Sequence, residues 1–193
     1  MGARKSRRLK RLPMFTEQGV LPPGDYELTL EELGKSFLVL GPADPADCPN
    51  WDSAWRFQLV ENAAILIHQL WQIGINEIFL DGSFVEEKDH PNDIDGYFAC
   101  ERDHLKSGRL QQELNLIDPY KVWSWDPKSR RKVPGTHKPQ LPMWHQYRVE
   151  LYPHYGQSSG ILDQYGNNLE FPAAFRLSRQ WIPKGIIKIV RDV

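Results

Sequence analysis

The chain has 193 residues, and its 24 Lys and Arg against 25 Asp and Glu leave a formal net charge of −1. That length gives room for one domain with a sizeable core, and so even a balance produces no overall field that would draw nucleic acid in or keep it away. The two cysteines, Cys48 and Cys100, stand apart without a CxxC pair, which argues against a zinc ribbon or a disulfide framework and fits a reducing cytoplasm.

Residues 1–20 form a basic arm in which Arg4, Lys5, Arg7, Arg8, Lys10 and Arg11 have few apolar neighbours. The arm reads as a solvated flexible tail, with a phosphate-seeking role on a nucleic-acid acceptor as the alternative. No apolar core follows it, so it is not a secretory signal. Residues 21–193 read as a single domain whose core spans about 53–153. Leu21-Pro22-Pro23-Gly24 is an extended lead-in, and Thr29 with Glu32 makes a capping box that opens a short helix. Residues 41–50, rich in Pro, Asp and Ala, form a loop.

From Ser53 to Ile73 the apolar positions keep the helical period through Trp55, Leu59, Leu66 and Leu70, with Ile65, Ile67 and Trp71 widening the stripe, and Gly74 stops the helix. His68 reads as a core or flank residue of this helix. With Gln69 it interrupts the most apolar run of the chain, so no segment is long enough to span a bilayer.

Two short apolar runs follow, Ile75 to Leu80 and Ile94 to Ala99, with Gly82-Ser83 and a polar loop between them, and they read as two strands joined by a loop. Side chains alternate along a strand, so Asp93 and Asp95 project to the same side and Ile94 to the other. Two carboxylates held together cost free energy unless a cation lies between them, and a hard divalent ion suits an all-oxygen site. Gly82 lets the backbone come close to a phosphate, while the Ser83 hydroxyl and neighbouring N–H groups can donate to it. The loop from Val85 to Asn92, with Glu86, Glu87, Lys88, Asp89 and His90, reads as solvated, with a metal-ligand role as the alternative.

Residues 101–115 read as one polar helix with Leu105, Leu110, Leu114 and Ile117 on its apolar side, ended by Asp118-Pro119. Trp123 and Trp125 fall in a short strand or rim segment. Residues 128–138 form a basic loop with Lys128, Arg130, Arg131, Lys132 and Lys138. It is either a solvated hairpin or a set of cations for phosphate, with Trp123, Trp125 or Trp144 as faces for base stacking. Residues 146–152 alternate as a strand, with Arg148, Glu150 and Tyr152 on one face. His137, His145 and His154 lie near it but lack the spacing of a zinc site. A short helix is expected within residues 171–181, and residues 186–191 alternate as a final strand at a sheet edge, with Arg176, Arg179 and Lys184 as solvated surface cations or, in the alternative, as groups that reach phosphate.

Gly82-Ser83, a short loop and Asp93-Ile94-Asp95 on a strand resemble the signature of the DNA polymerase β-like nucleotidyltransferase superfamily, in the form of a small stand-alone prokaryotic member. The resemblance runs from about Trp55 to Tyr152. It implies an α/β (α+β) fold in which a small mixed sheet is flanked by helices, the minimal nucleotidyltransferase fold. It implies two Mg²⁺ ions, with Mn²⁺ as a substitute, bridged by Asp93 and Asp95 and completed by a third carboxylate. Glu150 takes that place if its strand lies beside that of Asp93, although the family more often has Asp there; Asp118 and Asp126 are the alternatives. Gly82, Ser83, Lys88 and Arg148 form the implied nucleotide-binding set. The implied activity moves an NMP or dNMP from a nucleoside triphosphate to a hydroxyl on an RNA end, a protein side chain or a growing oligonucleotide. The implied setting is cytoplasmic, in a toxin–antitoxin or phage-defence operon with an operon-encoded partner protein. Two other readings stay open. One is a catalytically silent module of this fold that binds a protein or nucleic acid, and the other is a nucleic-acid binder driven by the basic arm and loop.

Overall fold

A computed structural model describes residues 12–134 and 138–192. The basic residues 4–11, and Gly135 to His137 of the basic loop, therefore lie outside the described residues. A five-stranded mixed sheet runs in the order β1-β7-β2-β3-β4, built from Asp25–Leu28 (β1), Ile78–Asp81 (β2), Ile94–Ala99 (β3), Val149–His154 (β4) and Ile186–Ile189 (β7). A separate hairpin pairs Ser158–Leu162 (β5) with Asn168–Glu170 (β6). The helices are Leu30–Gly34 (α1), Phe37–Leu40 (α2), Ser53–Gln72 (α3), Arg102–Lys106 (α4), Arg109–Ile117 (α5), Pro142–Tyr147 (α6) and Phe171–Ala174 (α7). The expected class, a small mixed sheet flanked by helices, is the one observed.

Helix α3 forms where its period placed it. Asp52 caps it by accepting from the Trp55 N–H at 2.9 Å. At the other end Gly74 adopts φ +85°, and the N–H groups of Gly74 and Ile75 return to the carbonyls of Trp71 and Leu70, the paired bonds of a Schellman stop. Leu59, Ala63, Leu66, Ile67 and Leu70 pack onto Ile78, Leu80, Ile94, Phe98 and Leu151 of the sheet, and together they hold the main core. Ile65, placed on the apolar stripe by its spacing, is 43% exposed, and His68 is exposed as well. The Thr29–Glu32 capping box is present in both directions, at 2.8 and 3.1 Å.

The other face of the sheet carries a smaller aromatic layer. Register places Phe79 level with Tyr97, and Tyr97 level with Tyr152. Phe79 stacks on Tyr97 and Tyr152 on Phe171, and Phe171 and Phe175 complete the layer from the C-terminal segment.

Four expectations change. The helix expected over 101–115 is broken into α4 and α5 at Gly108, which adopts φ +78°. Gln146 and Tyr147 belong to α6, because Pro142 fits a first helical turn and Met143, Trp144 and Tyr147 share one buried face; β4 begins only after Arg148 at φ +55°. Trp123 and Trp125 belong to no strand; the Trp123 backbone bonds to the Asn115 side chain, and Trp123 is fully buried. Finally, β7 is an interior strand between β1 and β2, and both of its faces are covered. Among the described residues no helix is long and apolar enough to cross a membrane.

Gly96, in the middle of β3, is a position where backbone and core meet closely. A Cβ there would lie 2.3 Å from the Phe79 carbonyl oxygen and 2.9 Å from Leu151 Cδ2. Gly96→Ala is expected to cost about 2 kcal/mol or more, read as a lower denaturant midpoint in chemical unfolding.

Candidate active site at one end of the sheet

Strand register assembles the site. Asp81, the last residue of β2, pairs with Asp95 of β3, and Asp95 pairs with Glu150 of β4. Residues level with one another across a sheet share a face, so three adjacent strands place an acid side by side at one end. Asp93 precedes β3 by one residue and returns to the same side as Asp95. The structure thus brings together Asp93, Asp95 and Glu150, and it adds Asp81, which sequence reasoning passed over because an acid at a strand end carries no signal of its own.

Gly82 follows Asp81 at φ +79°, and a Cβ there would come within 2.6 Å of Asp95 Oδ2. Only glycine accepts both that backbone conformation and that approach. Ser83 continues into a single 3₁₀ turn, Gly82–Val85, whose Phe84 and Val85 anchor it in the core. The loop beyond is organised by Arg56. This residue is fully buried, and its guanidinium donates to the carbonyls of Leu38 at 2.7 Å, Phe84 at 2.8 Å, Glu86 at 3.1 Å and Lys88 at 2.6 Å. Burial draws its pKa down to about 9, which still leaves it cationic at neutral pH. The loop expected to be merely solvated is therefore fixed from within, although the Lys88 side chain itself is exposed.

Each acid is treated differently. Glu150 is 1% exposed; Oε1 accepts from the Leu141 N–H at 2.8 Å and Oε2 accepts from the Tyr152 hydroxyl, while Arg130 stands 3.7 Å away. Asp93 Oδ2 accepts from Trp144 Nε1 at 2.7 Å, and Arg148 lies flat over the Trp144 ring at 4.0 Å. Asp81 is 2% exposed and faces the Lys184 ammonium at 3.2 Å. Burial raises the pKa of Asp81 to about 7, against the pull of Lys184. Burial raises Asp95 to about 8, and the negative charges of Asp93 and Glu150 push in the same direction while Lys138 opposes them. Asp93 is raised too, again chiefly by burial.

Lys184 and Arg176, expected as solvated surface cations, are both paired: Lys184 is 3% exposed, and Arg176 donates twice to Asp25. Fully buried Trp123 offers no face for stacking, and the indoles of Trp125 and Trp144 are tied to Leu151 and Asp93. His145 meets the Arg131 carbonyl and His154 meets Glu170, so these two do not converge; His137 lies outside the described residues. Asp118, one alternative third carboxylate, is buried in a network with Gln69 and Tyr147, and Asp126 caps the 3₁₀ turn 127–129, so neither joins the row.

The donor set is all oxygen, and Asp93 and Asp95 are pushed toward protonation first by burial and then by the like charges around them, a cost that a hard divalent cation relieves. Among the described residues no three His, Cys, Asp or Glu side chains are already gathered round one point for a metal, as Glu150 and Asp93 are turned to their hydrogen-bond donors. The fit lies in the chemistry of the donors and not in a preformed shell.

These features define an α+β protein with a row of acids across one end of its central sheet. The chain belongs to a family of unknown function, DUF6932, which matches residues 13–190. No curated protein and no solved structure matches the chain.

Asp81 and Asp95 both have folded pKa values above the ~3.9 of an unfolded Asp, so the folded chain holds protons that the unfolded chain releases. Stability in chelator-containing buffer is therefore expected to fall as pH rises from about 4 to about 8. Asp95→Asn removes the like-charge crowding; it is expected to flatten that slope and to raise stability at pH 8 by on the order of 2 kcal/mol, measured by chemical unfolding across the pH range.

Proposed function

We propose that the protein is a metal-dependent nucleotidyltransferase that moves a nucleoside monophosphate from a nucleoside triphosphate to a hydroxyl acceptor and releases pyrophosphate. The observation that carries this reading is the row Asp95–Glu150, joined by Asp93, directly against the Gly82 backbone. Crowded carboxylates and a glycine turn in contact pair a cation site with a phosphate site, and the resemblance of this stretch to the polymerase β-like signature agrees with it. Asp93 and Asp95 would hold Mg²⁺ or Mn²⁺, with Glu150 turning from Leu141 and Tyr152 to join them. When bound, the cation supplies charge neutralisation for the triphosphate and makes the acceptor hydroxyl more acidic.

The chain's own groups bind and align. The N–H groups of the Gly82 turn and the Ser83 hydroxyl hold the β and γ phosphates, and Lys88 and Arg148 add positive charge at the rim. The acceptor oxygen forms its bond to the α phosphorus as the bond to the pyrophosphate oxygen breaks, and the hydroxyl proton leaves to solvent. Little covalent work falls to the protein, so alignment and electrostatics carry the rate. An RNA end, a protein side chain or a growing oligonucleotide would each serve as acceptor. A setting in a toxin–antitoxin or phage-defence operon with a cognate partner rests on the resemblance alone.

A second reading, a catalytically silent module of the same fold that binds a protein or nucleic acid, draws on one observation: both oxygens of Glu150 are already engaged. One experiment separates the two. Purified protein is incubated with each labelled NTP and dNTP plus Mg²⁺ or Mn²⁺, with and without total RNA, beside Asp93→Ala/Asp95→Ala. Label transferred by the wild type, and reduced at least about 10³-fold in the variant, supports the enzyme. No transfer, together with no metal-dependent NTP binding in calorimetry, leaves the silent module.

A further inference from the structure

Lys184 lies in the segment before β7, and because β7 runs antiparallel to β2 its side chain meets the C-terminal end of β2. Its Nζ donates to the Gly82 carbonyl at 3.0 Å and to Glu86 Oε1 at 2.7 Å, and stands 3.2 Å from Asp81 Oδ2. An ammonium has three N–H donors, and these three acceptors use all of them. They are distributed in a telling way: Asp81 and Gly82 stand at the start of the 3₁₀ turn, and Glu86 follows its end.

A counter-ion for Asp81 would need only the carboxylate. Instead one donor goes to a neutral carbonyl, which adds nothing to charge balance, and Asp81 Oδ1 is left buried without a partner. The carbonyl contact has a geometric consequence. A trans peptide points its N–H opposite to its C=O, so drawing the Gly82 oxygen onto a buried ammonium turns the Ser83 N–H away from that ammonium.

We infer that Lys184 is a positioning residue for the phosphate side of the site, an ammonium clasp that joins the two ends of the Gly82–Val85 turn and fixes the direction in which the Ser83 N–H points. The inference rests on the nucleotidyltransferase reading of that turn. It also ties the C-terminal segment into the site, because the clasp comes from a residue 102 positions further along the chain than Gly82.

The test compares Asp81→Asn, which keeps the Gly82 and Glu86 contacts, with Asp81→Asn/Lys184→Met, which removes the clasp while leaving no unpaired charge on either residue. Glu86→Ala, which removes that acceptor, serves as a third variant that fold loss does not threaten, since that side chain is 26% exposed. Two readouts are taken: hydrogen exchange of the peptide covering residues 80–86, and calorimetric binding of an α,β-methylene nucleoside triphosphate with Mg²⁺. Loss of a bond from a charged donor predicts faster exchange at the turn and analogue binding weakened about ten-fold or more in the double variant relative to Asp81→Asn, which is its baseline. Glu86→Ala is expected to weaken binding by less, about three-fold relative to wild type. A double variant equal to Asp81→Asn in both readouts, or, should the double variant not fold, Glu86→Ala equal to wild type in both, overturns the clasp while leaving the nucleotidyltransferase reading intact. Absence of analogue binding by the wild type overturns that reading, and the phosphate role of the clasp with it.

Discussion

Carboxylates crowded at a partly desolvated sheet end repel one another and lose hydration, and much of the architecture around β2, β3 and β4 can be understood as compensation for that cost. Asp81 has the Lys184 ammonium, Glu150 has the Leu141 N–H and the Tyr152 hydroxyl, and Asp93 has the Trp144 indole. The donors come from α6 and its cap, from β4 itself and from the segment before β7. Asp95, in the middle of the row, is the acid most strongly raised, with the Lys138 charge acting against that rise. A row of acids with its outer members compensated and its centre left under burial and repulsion is the feature on which the proposed metal site rests.

The compensation also shapes the local structure. Leu141 precedes α6, and its N–H is answered by Glu150, so the short helix and the acid row support one another. Trp144 lies on that same helix, and its contact to Asp93 closes the link between α6 and the start of β3. On the other side, Arg56 satisfies one carbonyl of α2 and three of residues 84–88 at once, which gives partners to oxygens of the backbone that follows Gly82. The aromatic layer of Phe79, Tyr97, Tyr152 and Phe171 then closes the sheet face leading away from the acids.

Much of this was legible in the amino-acid order. The capping box of α1, the period and glycine stop of α3, the strand–turn–strand around Gly82 and the shared side of Asp93 and Asp95 all follow from interactions within a few residues, where propensity, capping and parity act directly. The same local reasoning failed at residues 146–147, where an alternating pattern ran on from a real strand into a helix whose buried face, Met143, Trp144 and Tyr147, has its own spacing.

What the sequence by itself determined, then, is a set of elements and a pair of acids on one of them. Only the tertiary structure decided that β4 lies parallel to β3 with Glu150 level with Asp95, that β7 enters between β1 and β2, and that Lys184 and Arg56 are buried. The physical reason is that strand order and register are settled by how distant segments share one core. A lysine or an arginine gains its buried partners only once that core has brought segments far apart in the chain together.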